Sequence, residues 1–372
     1  MRWQFGLCSV LFSAAILAGC DEGPQPSSHP IHREPVATAS ASAKAPEKAA
    51  AVQLDPSDIA FFKVLPAKFD SERNPISEEK VKLGRMLYYE NRLSLNQDIS
   101  CNSCHLLDKY GVDNEATSAG HKGQRGGRNS PTVYNAGGHT AQFWDGRAQS
   151  MEDQAKGPIL NPIEMAMPDE ASVLKVLKSM PEYVAMFKAA FPKDKEALTY
   201  DNLAKAIGAF ERQLVTPGRW DKFLAGDQNA VTEAEKAGFA KFSKLGCPTC
   251  HNGPAVGGTT FQKLGLVRPY PDQSDLGRFE ITKNESDKMF FRVPSLRNIE
   301  KTAPYFHKGQ HKTLEETVKT MAAHQLGMDL KDDEIASIVT WLKSLTGELP
   351  MDYIKKPELP PSTDKTPKPK AN

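Results

Sequence analysis

Cys101-Asn102-Ser103-Cys104-His105 and Cys247-Pro248-Thr249-Cys250-His251 decide how this chain is read. Two thiols three positions apart on one turn can each form a thioether to a haem vinyl, while the adjacent histidine presents its imidazole to the iron. A zinc ribbon would need further Cys or His at its own spacing, and a thioredoxin-like pair does not require the histidine. Cys101, Cys104, Cys247 and Cys250 are therefore expected to attach two haems c covalently, with His105 and His251 as iron ligands. The motifs stand 146 residues apart, each after an amphipathic helical pattern, so the body reads as one unit repeated.

Outward from the motifs, only Cys8 and Cys20 remain, and none is left for a structural disulfide. Cys8 lies in an apolar run from about Leu7 to Ile16 that follows Arg2, too short to span a bilayer and suited to a secretory signal. Leu17-Ala18-Gly19-Cys20 resembles the lipobox of bacterial lipoproteins, which implies acylation of Cys20 and anchoring on the periplasmic side of a bacterial membrane. An ordinary signal peptide would leave the protein soluble in the periplasm. Residues 21–53 hold eight Ala, five Pro and four Ser without an aromatic residue, and read as a disordered tether. The expected organisation is a lipoprotein signal peptide over 1–20, this linker over 21–53, one haem domain over 54–217, a second over 218–355, and a disordered Pro/Lys tail over 356–372. The boundary rests on Thr216-Pro217-Gly218 and the turn at Gly226.

The 372 residues are 39% hydrophobic and 25% charged, which excludes a disordered, collagen-like or multi-span membrane protein. A net charge of +1 gives no field for a phosphate backbone, so nucleic acid is not expected as a partner. Helical signals dominate: Leu203, Ile207, Phe210 and Leu214 share a face, Thr232 with Glu235 forms a capping box, and Glu334–Leu345 repeats the period before Gly347. Strand signals are confined to Thr259–Val267 and Phe279–Ile281. The fold class expected is mainly α, with long irregular loops and few short strands.

Further motifs follow each attachment site: His121, Arg128-Asn129-Ser130-Pro131-Thr132-Val133-Tyr134-Asn135, Gln142-Phe143-Trp144-Asp145-Gly146-Arg147, Gln154 and Asn161-Pro162-Ile163-Glu164-Met165 after the first. After the second come Arg292-Val293-Pro294-Ser295-Leu296-Arg297-Asn298, Thr302-Ala303-Pro304-Tyr305-Phe306-His307 and Thr320-Met321. In content and order these resemble the bacterial dihaem cytochrome c peroxidases, over about residues 54–350.

The resemblance implies two cytochrome c-like haem domains and reduction of hydrogen peroxide to water with electrons from a small cytochrome c or cupredoxin. It makes the first haem the low-potential peroxidatic centre, with His121 as a displaceable sixth ligand, and the second the high-potential electron-entry centre, with Met321 as sixth ligand and Met328 as its rival. Phe143, Gln154 and Glu164 match the peroxide pocket, and Trp144 the aromatic residue between the haems. Asn129 with the carbonyls of Thr302 and Pro304 matches a calcium site, whose oxygen ligands suit that ion. Peroxide takes two electrons whereas the donors deliver one, a mismatch that two haems resolve, and Glu164 would shuttle the proton. A dihaem carrier would share the attachment motifs without needing Glu164. A related enzyme that oxidises protein tryptophans has tyrosine where Met321 stands. His139, His307, His311 and His324 are read as structural or surface residues; a homodimer stays open.

Overall fold

Ser77 and Thr199 start the two helices on which the first half is built, their hydroxyls accepting from the amides of Lys80 and Asn202. The structure is a computed structural model and describes residues 52–370. The signal segment, Cys20 and nearly all of the linker lie outside the described residues. Helices α1 (Glu78–Tyr88), α2 (Met151–Leu160), α3 (Glu170–Lys178), α4 (Pro181–Ala190) and α5 (Tyr200–Glu211) enclose one apolar core. Helices α1 and α5 approach so closely that a β-carbon on Gly84 would sit 1.9 Å from the Ala206 carbonyl oxygen. Leu203, Ile207, Phe210 and Leu214 are all buried, as their spacing predicts.

In the second half, α6 (Glu233–Lys244) opens on the Thr232/Glu235 capping box, α7 (Leu314–Met321) on Thr313/Glu316, and α8 (Asp332–Ser344) follows. Gly238 lets α6 meet α8, a β-carbon there falling 2.1 Å from the Ser337 carbonyl oxygen. The core between them is aromatic: Phe242 and Trp341 lie 4.4 Å apart, Trp220 and Phe239 4.9 Å. Among the described residues no helix is long and apolar enough to cross a membrane.

Helices dominate as expected, with four departures in detail. Strand β1 is only Phe261–Lys263 and pairs antiparallel with β2 (Phe290–Arg292), Phe261 facing Arg292. Phe279–Ile281 belongs to a helical turn, Phe279–Thr282, framed by positive φ at Gly277 and Lys283; three apolar positions cannot distinguish the two periods. Gly347 does not end α8, whose last cap is Leu345; it is small because its α-carbon lies against the backbone of Thr216. The boundary at 217/218 is crossed in both directions. Phe62, assigned by sequence to the first domain, packs at 5.8 Å on Trp220 in the second core.

The tail expected to be disordered returns the exchange. Residues 356–370 lie along the first half, where Arg92 donates to the Pro360 carbonyl (2.8 Å) and Ser362 Oγ (3.0 Å), Gln97 to the Pro367 carbonyl (2.7 Å), and Thr363 to the Ser179 carbonyl (2.8 Å). Its prolines already have a restricted backbone, so less entropy is lost on ordering than composition suggests.

Candidate functional site

The first motif forms one helical turn, Cys101–Cys104, braced by Ser100 and Ser103, with His105 at its end. Tyr88 donates to the His105 carbonyl at 2.8 Å, fixing the turn on α1. His105 Nδ1 is buried without a hydrogen bond, beside the backbone of Gly111 and Pro131, and burial lowers its basicity. The second motif repeats this arrangement: His251 Nδ1 is buried unpaired beside the backbone of Val256 and Pro294, and burial pushes its pKa down to about 4. Both imidazoles are thus kept neutral, the form that binds a metal.

The four cysteines are free. Burial pushes the Cys104 thiol up to about 11 and Cys247 to about 12. That is opposite to the depressed thiol of a dithiol redox motif. Among the described residues no group of three or more His, Cys, Asp or Glu is placed to hold a metal ion. Buried histidines with one unpaired nitrogen, each beside a thiol pair, fit covalently attached haem.

His121 and Glu164 are brought together by the main chain. The His121 amide donates to the carbonyls of Ile163 (2.9 Å) and Glu164 (2.8 Å), and Gly120 permits it, since a β-carbon there would fall 2.1 Å from the Ile163 oxygen. Burial raises the Glu164 carboxyl above its ordinary range, partly offset by Arg147 and by an Asn161 amide donating at 2.7 Å. Arg147 lies 3.4 Å over the Phe143 ring and pairs with Asp145 at 3.0 Å. The Phe143 ring in turn comes 3.4 Å from where a Gly157 β-carbon would stand, one turn along α2 from Gln154.

Cys247, Cys250, His251, Trp144, Phe291 and Met321 line one cavity that holds about 1740 Å³ of space, its open mouth included. Met321 ends α7 and packs against Leu264, Tyr270, Met289 and Phe291. Met328 is 42% exposed. Trp144 donates through Nε1 to the Asn129 carbonyl at 2.9 Å. Asn129, Thr302 and Pro304 line the same cavity, and the Asn129 amide nitrogen is engaged by the Glu115 carbonyl, leaving its oxygen for another partner.

Four residues stand closer to the site than the sequence reading placed them, among them His139 and His307, read there as structural or surface residues. His307 is buried, stacked 4.3 Å from Phe291 and edge-on to Trp144 at 6.3 Å, and burial lowers its pKa to about 4. Arg292 and His139 also face the cavity. Glu211, the last residue of α5, is buried with Oε2 unpaired beside the first attachment turn. His307 and Arg292 stand inside matched motifs that gave them no task, and no sequence signal pointed to His139 or Glu211.

Comparison with known proteins gives a consistent picture. The profile of the di-haem cytochrome c peroxidase family matches residues 78–229. The chain is 49% identical over 296 residues to cytochrome c551 peroxidase of Nitrosomonas europaea, covering 79% of this chain and 87% of that one. It is 45% identical to cytochrome c551 peroxidase of Pseudomonas aeruginosa, covering 83% and 90%. Its fold is similar to the crystal structure of a MauG-like protein associated with microbial copper homeostasis, with a TM-score of 0.70 and 31% identity over 79% of this chain and 97% of that one.

Glu211 generates a prediction. Burial, with repulsion from Glu152, lifts its pKa from 4.5 to about 8. The folded state therefore holds a proton that the unfolded chain releases, so its stabilising effect is complete below about pH 4.5 and is lost as pH rises toward 8. Between these limits the stability of the wild type should fall more steeply than that of Glu211→Gln, by up to about 1.4 kcal/mol per pH unit. Urea unfolding across that range measures the two slopes; equal slopes would mean that Glu211 is ionised in the fold.

Proposed function

The chain belongs to the di-haem cytochrome c peroxidase family, and from its activity, the reduction of hydrogen peroxide with two haems and electrons from a small redox protein, we propose how its residues divide the work. The haems, when bound, supply the iron at which peroxide is reduced and a store for the second electron. Cys101, Cys104 and His105 hold the peroxidatic one; Cys247, Cys250 and His251 hold the electron-entry one. The observation that carries the reading is Glu164, a carboxyl with raised affinity for protons, tied through its own backbone to His121.

His121 would supply the displaceable ligand of the first haem and would move aside to admit peroxide. Gly120 and Gly123, the latter at φ +71°, flank it and give its loop backbone latitude. Glu164 takes the proton from one peroxide oxygen and hands it to the other, which departs as water; with two electrons and two further protons the second oxygen also becomes water. Gln154 orients peroxide by hydrogen bonding, while Phe143, with Arg147 over its ring, limits water around the carboxyl. Trp144 carries electrons between the centres. Met321 would supply the second haem's other ligand, a reading supported by its place in the cavity wall while Met328 is exposed. Asn129 Oδ1 and the carbonyls of Thr302 and Pro304 would hold a calcium ion beside Trp144; metal analysis of the purified holoenzyme checks it. A cytochrome c or cupredoxin is the donor, and the Leu17–Cys20 segment supports lipid anchoring on the periplasmic side.

Three outcomes follow. Glu164→Gln keeps size and hydrogen bonding but removes the base, so both haems should load and reduce normally while turnover falls by about 10² to 10⁴; wild-type turnover would remove Glu164 from the mechanism. Met321→Ala should abolish the ferric methionine-ligation spectrum of the second haem and lower its potential, because a thioether favours ferrous iron; an intact spectrum would transfer the role to another ligand. Cys20→Ser should move active enzyme from the membrane to the soluble periplasmic fraction, since several acyl chains anchor firmly where one is marginal. Unchanged fractionation would refute lipidation.

A further inference from the structure

Arg292 is 3% exposed, yet no carboxylate among the described residues lies within 4.0 Å of its guanidinium. Its side chain reaches only the Phe143 carbonyl at 3.3 Å and the Val293 carbonyl at 3.5 Å. The other buried arginines differ. Arg297 binds both oxygens of Asp221 at 2.7 and 2.8 Å, and Arg212 both oxygens of Glu152 at 3.1 and 2.9 Å. Burial lowers the Arg292 pKa only to about 10, so it stays charged at neutral pH. A buried charge without a counter-ion is costly enough that some anion must answer it.

The backbone fixes where that anion can sit. Arg292 ends β2 opposite Phe261, and its amide donates to the Trp144 carbonyl at 2.8 Å. The side chain faces the cavity that Cys247, Cys250 and His251 line. His139 faces it as well. Both its ring nitrogens are buried without hydrogen bonds, and its ring lies on Gly258, where a β-carbon would come 2.1 Å from Cδ2. Burial first, and the neighbouring Arg292 charge second, hold the imidazole neutral, so one nitrogen carries a hydrogen to donate. A planar cation without a counter-ion and a neutral N–H donor, both facing one cavity, match a carboxylate.

We propose that Arg292 and His139 form the binding site for a propionate carboxylate of the haem carried by Cys247, Cys250 and His251. The proposal rests on the covalent haem reading. Arg292 neutralises the carboxylate and His139 donates to it, so the porphyrin edge is pinned beside Trp144.

Resonance Raman spectra of the half-reduced holoenzyme test it, because there the ferrous second haem is separable from the ferric first and the propionate-bending band reports hydrogen bonding to the carboxylate. Arg292→Gln and His139→Asn should each shift that band to lower frequency in the second haem and leave the first unchanged, while Arg292→Lys retains most of the wild-type position. A second-haem band unmoved in both Arg292→Gln and His139→Asn, or a shift confined to the first haem, overturns the proposal. If Arg292→Gln does not retain haem, Arg292→Lys and His139→Asn decide it by the same band. Pyridine haemochrome analysis of the wild type separates the premises: fewer than two covalent haems refutes the haem reading itself, whereas two haems with an unmoved band refutes only the carboxylate site.

Discussion

A buried polar seam around Thr216 holds the rest of the structure in register. Thr216 Oγ1 accepts from the amides of Asn135 at 2.9 Å and Asn298 at 2.8 Å, while Asn135 Oδ1 accepts from the Thr216 amide at 3.1 Å and Asn298 Oδ1 from the Gly347 amide at 2.9 Å. Four distant stretches of chain converge on one fully buried threonine. Because a buried donor or acceptor left unpaired costs about 1–3 kcal/mol, sliding any of these stretches would break several bonds at once. Just beyond it, Asp221 binds the Arg297 fork and also accepts from the amides of Leu65 at 2.9 Å and Gly218 at 2.9 Å. Losing one partner of such a pair typically costs about 3–5 kcal/mol. The seam thus ties the segment after the first histidine turn to those before and after the second.

Away from the seam, the ionisable groups near the centres fall into two classes. Arg128 binds both oxygens of Asp275 at 2.7 Å, which holds that carboxyl below its ordinary range, and also pairs with Asp145. Glu164 and Glu211 are instead pushed by burial toward protonation, and His251 and His307 toward the neutral base. The first class fixes geometry around Trp144. The second removes charge from the surroundings of the turns, where a bare ion would be poorly screened and would compete with any charge a prosthetic group brings. Arg292 belongs to neither class, which is what isolates it.

Local chemistry was legible in the sequence, and long-range exchange was not. The Cys-x-x-Cys-His turns, the Thr232/Glu235 cap and the Leu203 face each follow from residues within a few positions of one another. The packing of Phe62 into the second core and of Thr363 and Thr366 against Ser179 depends on partners more than 150 residues away, which no periodicity reports. Gly347 illustrates the same limit: its position after a helix suggests a cap, yet its function is to admit Thr216. Arg292 was read as part of a motif with no task, because its isolation appears only once every neighbouring carboxylate has been placed elsewhere.

The same distinction between local and distant support explains why the two proposed sixth ligands can behave differently. Met321 sits at the end of a helix whose start is locked by the reciprocal Thr313/Glu316 cap and whose last turn is packed against Leu264, Tyr270, Met289 and Phe291. Moving it means unwinding that turn and exposing apolar surface. His121 stands in a short turn flanked by Gly120 and Gly123, and nearby Gly126 and Gly127 have open space around them. Its backbone amide is shared between the carbonyls of Ile163 and Glu164, and its carbonyl accepts from Gln124 within the same short turn. No long helix has to unwind for that turn to move, and the segment it is tied to carries Glu164. The proposed exchange at one centre and permanence at the other would thus follow from the backbone that presents each ligand, before any difference between imidazole and thioether is considered.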